Sequence, residues 1–473
     1  MDEDLVHFAI DFLEKQGCSY VEARLEESEG NDFILKNGTL DLASYSQITG
    51  LGVRFLLKNK LNFVSTNELA RDHVLKKLQA ALHTAKKAAK YGEHTELSRE
   101  ESHEDRYTVK AQIDPQNLEP EAKIRWLKEL DQDLLATSVK LPSRYLQYGD
   151  SQVTEYLATS EGIRITQTLP KVHFFYNYLI QAGNETSQKF CEYGATQGWE
   201  GVLGWKLNQT LPEQVKALHK NVTEGKAAPK EAVDLVVSPE VTGIMVHESV
   251  GHPYEADRIL GREAAQAGES FISQDMVGSR IGNDCVTVCD DPTLENGFGH
   301  YKYDNEGVRA RRKYLIKKGM IHEFLHNRET AAQMNHGKSN GSSRATDYDK
   351  ESIIRMSNTI VLPGEFKTEE ELIADVKLGV WMKNYMEWNI DDKRLNARYT
   401  GAEAYLIKNG KIAGPVRNPT LEITTPKLWG SVDGVAQNSA YFAGNCGKGE
   451  PMQGIPVWFG GPSMRLRKIK FRT

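Results

Sequence analysis

The sequence predicts an α+β protein of two domains: N-terminal helices packed on an antiparallel sheet, then a strand-rich C-terminal domain carrying one conspicuous helix. Three observations predict it. Helical periodicities early in the chain are grouped with β-hairpin signals rather than alternating with single strands, which argues against βαβ units. The segment Gly225-Lys-Ala-Ala-Pro229 reads as a linker, placing the boundary between residues 1–228 and 229–473. Beyond it, turn pairs at Lys318-Gly319 and Asn409-Gly410 separate short strand-like runs. A length of 473 residues also favours two domains over one.

In chain order, Leu5, Phe8, Ala9 and Phe12 mark one face of a first helix. Residues 18–27 alternate like a strand. Residues 33–36, the Asn37-Gly38 pair and the run from Leu40 predict a hairpin, and 51–57 a further strand. Leu75, Leu78, Leu82, Ala85 and Ala89 recur at three- and four-residue steps, as in an amphipathic helix. Residues 92–106 are nearly all polar and read as an exposed connector. A helix over 122–136, strands over 144–199 punctuated by Gly162 and Gly194, and a helix over 211–222 complete the first domain. The second opens with a strand over 233–237. Ser238, Pro239 and Glu240 then offer an N-cap, a residue suited to the first helical position and a carboxylate for the positive helix end. A helix should run from there into the 250s.

Composition excludes several classes. The net charge is −6 and no basic stripe appears, so nucleic acid is not an expected partner. The tail residues Arg465, Arg467, Lys468, Lys470 and Arg472 read as the solvated end of a last strand. Five cysteines do not make a disulfide framework. The Met-Asp-Glu-Asp start lacks the order of a signal peptide, and no apolar run approaches a bilayer span. The expectation is a soluble cytoplasmic protein with no membrane partner.

Two histidine motifs compete for a metal. His322-Glu323-Phe324-Leu325-His326 matches the zincin pattern, which needs both histidines on one helix face. Here Lys318-Gly319 predicts a hairpin just upstream, so the segment reads as a short strand. There His322 and His326 would stand about 13 Å apart, too far for one zinc ion. Asn327 reads as the cap of a following helix. The other motif, His247-Glu248-Ser249-Val250-Gly251-His252, has its helix but an awkward spacing. Five residues place His252 about 140° around from His247 in a regular helix. Gly251 and Pro253 predict a π-like or terminating turn over 249–253. Spacing alone leaves open whether these histidines bind metal or merely pack. A catalytic zinc needs a third ligand, and the best candidate is Cys446, read as lying in a glycine-rich loop. Cys285 and Cys289 read as buried strand residues rather than a second metal site.

The His247-Glu-Ser-Val-Gly-His252 helix after a strand, with the late Gly444-Asn-Cys-Gly-Lys-Gly449 segment, resembles the TldD/PmbA (TldE) peptidases. Asp290-Asp-Pro-Thr293, Tyr303-Asp-Asn-Glu-Gly307, Arg355-Met-Ser-Asn358 and Gly460-Gly-Pro-Ser463 support the resemblance. It implies Zn2+ held by His247, His252 and Cys446, with Glu248 as catalytic base. It implies hydrolysis of unfolded or extended polypeptides by a homo-oligomer (dimer) or a heteromer with a TldE-like subunit. His300, Tyr301, Tyr303 and Arg355 lie in the resembling stretches and are candidate substrate-pocket residues. Asn305 stands in place of an acidic residue common in the family and takes no carried-over role. The rival readings are a zincin using His322, Glu323 and His326, and a non-catalytic peptide-binding or modulator subunit.

Overall fold

The computed structural model describes residues 1–91, 93–263 and 268–472. Helix α1 (Glu3–Lys15) leads into two very long strands, β1 (Tyr20–Lys36) and β2 (Thr39–Leu57), joined at Asn37-Gly38. Both turn residues have positive φ, 49° and 81°, as a two-residue hairpin of this hand requires. The expected separate strand over 51–57 is the second half of β2. Its first half passes beyond the reach of β3 (Lys60–Thr66). Helix α2 (Arg71–Ala88), β4 (Glu104–Thr108), α3 (Pro120–Leu135), β5 (Ser143–Thr159), β6 (Arg164–Ala182) and β7 (Glu185–Ala195) follow, then α4 (Trp199–Gly204) and α5 (Leu207–Glu224).

These strands form one seven-stranded sheet in the order β3-β2-β1-β5-β6-β4, with β7 also on β6. Every pairing is antiparallel except β4 with β6. Strand alternation decides what each face does. Val21, Ala23, Leu25, Phe33 and Leu35 of β1 point to the helices, as do Leu146, Tyr148 and Tyr156 of β5. The intervening positions Glu22, Arg24 and Glu26 carry charge, yet each is buried. They are buried because the C-terminal half covers that face.

The expected exposed connector over 92–106 is largely exposed; its first residue lies outside the described residues, and 104–106 open β4. Thr95 and Ser98 are buried, and the buried Arg328 guanidinium donates twice to the Ser98 carbonyl, at 2.7 and 2.8 Å. Gly162 occupies a turn as expected, but Gly194 lies inside β7, and the β6–β7 turn is at Gly183.

The C-terminal half opens with β8 (Val233–Val237) and α6 (Pro239–Val246). Two six-stranded sheets and one four-stranded sheet surround a large apolar core. One six-stranded sheet ends in the antiparallel pair Gln453–Gly461 and Ala440–Lys448, the latter at its free edge. Gly460 and Gly461 are strand residues at the end of this pair. The basic tail is not simply solvated. Arg465 is 4% exposed and paired with Asp433 at 2.9 Å, and Arg467 reaches Asp234, Asp375 and Asp433. Among the described residues no helix is long and apolar enough to cross a membrane.

Candidate metal centre

Helix α6 is buried on every side, so its sequence is almost wholly apolar. Pro239 stands at its start as expected. Ser238 does not cap with its side chain; its hydroxyl donates to Glu369 at 2.6 Å. Glu240 is held by the Lys189 ammonium of β7, a buried pair that ties this helix to the N-terminal sheet.

The helix widens where the motif requires. Residues His247–Gly251 form a π turn, in which the His252 N–H donates to the His247 carbonyl. A tight 3-10 turn, His252–Tyr254, then ends it. Ser249 stabilises the irregular turn by donating to the Met245 carbonyl at 2.6 Å while accepting from Trp429 Nε1 at 3.0 Å. Gly251 lies so close to Met356 that a Cβ there would stand 1.9 Å from its sulfur. The added residue per turn swings both imidazoles to one side, with ring centroids 4.9 Å apart and planes at 81°.

Cys446 arrives from the edge strand Ala440–Lys448, not from a loop. Gly444 and Gly447 flank it in strand conformation, and Gly449, with φ 87°, sits in the turn that follows. Alternation turns Cys446 and Lys448 inward and leaves Asn445 and Gly447 exposed. Arg355, 0% exposed, holds this strand by donating to the carbonyls of Cys446 and Gln453. The Cys446 Sγ stands 3.4 Å from His252 Nε2. One donor atom each from His247, His252 and Cys446 lies within 4.8 Å of the others.

This donor set fits zinc. Bonds of roughly 2.0–2.3 Å in tetrahedral geometry set donors about 3.5 Å apart, and two imidazoles with a thiolate suit that ion. His247 Nδ1 is buried with no hydrogen-bond partner. The far nitrogen of His252, Nδ1, faces Glu255 Oε2 at 3.2 Å, the carboxylate–imidazole arrangement that orients metal-binding histidines. Glu255 is in turn approached at 3.2 Å by Arg258 and by Lys448, and Lys448 also binds Asp257 at 2.7 Å. Lys448 therefore joins the cysteine-bearing strand to the histidine-bearing turn.

The electrostatics agree. Burial alone would keep the Cys446 thiol protonated, but the two imidazoles and Arg355 outweigh it and hold the thiol well below its usual range. Burial likewise disfavours a charged His252, yet the facing sulfur raises its affinity for a proton. Glu248 lies beside this group. Its carboxylate accepts from Trp388 Nε1 at 3.0 Å and Arg394 Nη1 at 2.9 Å. Burial pushes its pKa up, but both histidines and Arg394 bring it below the ordinary value.

All four side chains line one cavity of about 450 Å³. Three strands that, among the described residues, each lack a paired neighbour on one side border it: β7, Tyr385–Ile390 and Ala440–Lys448. The structure does not bring the candidate pocket residues here. His300, Tyr301 and Tyr303 line a second cavity, and Arg355 lies behind the Cys446 backbone. The 322–326 motif is not helical. There His322 is exposed, Glu323 is bound to Arg311, and the buried His326 stacks on His336 at 4.4 Å. Trp388, Arg394, Glu255 and Lys448 escaped sequence reasoning. Only Glu255 and Lys448 had a signal, being close in sequence to the metal motif and the cysteine.

Known proteins bear on this geometry. Residues 230–473 match a family model described as the PmbA/TldA metallopeptidase C-terminal domain, 113–237 the central domain and 21–89 domain 1. A metalloprotease of Methanocaldococcus jannaschii is 30% identical over 94% of this chain and 95% of its own length. A zinc metalloprotease TldD homolog of Saccharolobus solfataricus is 26% identical over 56% of each chain. Among solved structures, a Thermotoga maritima protein, named for a suggested role as modulator of a DNA gyrase, superposes with TM-score 0.77 at 17% identity, covering all of both chains. TldE from Thermococcus kodakarensis superposes with TM-score 0.73 at 15% identity over 100% of this chain and 99% of its own.

Proposed function

The chain belongs to the PmbA/TldA (TldD) metallopeptidase family, and from that premise we propose that it is a zinc-dependent peptidase acting on unfolded or extended polypeptides. The observation that carries the proposal is the convergence of His247, His252 and Cys446 beside the Glu248 carboxylate in one cavity. Zinc held by those three residues would supply Lewis-acid polarisation of the scissile carbonyl and acidify water in its open fourth position.

The chain's own groups do the rest. Glu248 accepts a proton from the attacking water on a carboxylate oxygen and returns it to the leaving amine. Trp388 and Arg394 fix that carboxylate through one oxygen each, so its orientation is set before substrate arrives. Arg394 also keeps it ionised, the form a base needs. Glu255 holds His252 with Nε2 toward the sulfur.

The unpaired edge of Ala440–Lys448 offers main-chain groups to an extended peptide. Pairing of that kind reads backbone and little side-chain identity, which suits a broad peptide substrate. A folded protein keeps most of its strands paired internally and so presents few that are free to add here. The fold shared with TldE suggests the associate: a second copy of this chain or a TldE-like subunit, read by light scattering of the purified protein.

The test is cleavage of a disordered protein by the purified chain, with metal analysis alongside. Activity should vanish with a chelator and return with zinc. Glu248→Gln should keep about one zinc per chain and lose about 10²–10⁴-fold in rate. Full activity in that variant removes Glu248 from the mechanism; wild-type protein that binds no zinc removes the metal reading.

A further inference from the structure

The second cavity, about 310 Å³, lies between the charged face of the N-terminal sheet and the outer side of the 440–461 hairpin. Asn445 lines both it and the metal cavity. Several of its ionisable groups are already satisfied. Glu155 is held by Arg24 at 3.2 Å and by Asn305 at 2.8 and 3.0 Å. Asp304 accepts from the backbone N–H groups of Glu306, Val308 and Ser343. Arg344 donates to the carbonyls of Met356 and Pro456.

The groups left over fall at two ends. At one end are the carboxyls of Glu26, only 4% exposed, and Asp347, which have no hydrogen-bond or ion-pair partner among the described residues. At the other are the Lys171 ammonium, likewise without an ion-pair partner, and His300 Nδ1, buried with no hydrogen bond. Burial pushes Glu26 up to about 8 against the pull of nearby Arg24, and burial together with the like charge of Arg344 pushes Lys171 down to about 7.

Sheet register gives the spacing. Glu26 is opposite Glu155, and Lys171 is opposite Ser151. Ser151 and Glu155 are four residues apart on β5, about 13 Å at strand rise, and β1 and β6 flank β5 about 10 Å apart, so the two ends stand about 16 Å from each other. An extended peptide covers that distance in four or five residues.

We propose that this cavity is a second peptide site. It takes a short unblocked peptide, with the ammonium end at Glu26 and Asp347 and the carboxylate end at Lys171 and His300. A site that reads both termini admits peptides already cut and excludes a continuous chain. That separates it from the metal cavity, where the bond to be broken lies within a chain. The inference stands on the cavity's own groups and does not need the metal reading.

The test is calorimetric titration of the zinc-loaded chain, in a Glu248→Gln background to stop turnover. Tetra-alanine is compared with its N-acetylated and C-amidated forms. The unblocked peptide should bind, and blocking either end should weaken it at least tenfold. Lys171→Met and the pair Glu26→Gln with Asp347→Asn should weaken it similarly. Blocked peptides binding as tightly as free ones, unchanged affinity in folded variants, or no binding of the free peptide overturns the proposal. If the variants fail to fold, the blocked peptides decide on their own. Zinc content, measured on the same samples, reports the metal centre separately.

Discussion

Glu255 shows how a side chain can act on the proposed metal site without touching substrate. Its carboxylate is 0% exposed and meets His252, Arg258 and Lys448. Burial would raise its pKa, but Lys448, His252 and Arg258 together hold it well below the usual carboxylate range. An ionised acceptor fixes the proton of His252 on Nδ1 and frees Nε2 for a metal. Glu255→Gln keeps the shape and removes the charge. We expect zinc affinity to fall about 10–100-fold, as when comparable partners of metal-bound histidines are changed. A competition titration against a chromophoric chelator measures it; unchanged affinity would leave Glu255 a purely structural residue. Cys446→Ala removes a proposed ligand outright, so zinc should be lost on gel filtration. Zinc retained at full occupancy would exclude the sulfur.

At the scale of elements, the π turn is the decisive local structure. It was legible in the sequence because a five-residue spacing cannot serve one ion from a regular helix, and Gly251 followed by Pro253 marks where regularity ends. What holds the turn was not legible. Met356 comes from a distant segment and packs against Gly251 with no room for a methyl group. Gly251→Ala should therefore cost about 1–3 kcal/mol, the usual range for overpacking, and weaken zinc binding as the turn shifts. Urea unfolding of the metal-free chain measures the first and chelator competition the second. Wild-type values for both would mean the close approach to Met356 is not what shapes the site. The segment around Cys446 shows the opposite case. Its glycines suggested a loop, but pairing with 453–461 made it a strand. Main-chain hydrogen bonds across a hairpin outweighed local propensity.

Across the whole molecule, the two halves meet through buried charge. Arg54, 3% exposed, joins Glu22 of its own sheet at 3.0 Å to Glu306 of the C-terminal half. Arg328 crosses the other way to Ser98 and to Glu161. Removing one partner strands the others in a medium that cannot solvate them. Arg54→Met should thus destabilise the chain by about 3–5 kcal/mol, read by chemical denaturation. A loss below 1 kcal/mol would mean that water reaches those carboxylates. Most of 93–106 is exposed or half-exposed, as expected of a connector, with Thr95 and Ser98 buried against the C-terminal half. In the basic tail Lys468, Lys470 and Arg472 are exposed as expected, whereas Arg465 is buried on Asp433. Polar residues look solvated in a sequence, and only the partner surface shows which of them are satisfied by ion pairs and carbonyls.

The sequence by itself determined the α+β class, the longer helices of the N-terminal half with its hairpins at Asn37-Gly38 and Gly162, and the helix that must distort between His247 and His252, because periodicity, turn pairs and spacing are local properties of a chain. Only the tertiary structure decided that Cys446, 194 residues beyond His252, stands 3.4 Å from it, that Trp388 and Arg394 hold Glu248, and that His300 and Tyr303 face a different cavity. Those contacts depend on sheet register and on which face each strand turns inward, and register is fixed by long-range pairing that no short stretch of sequence encodes.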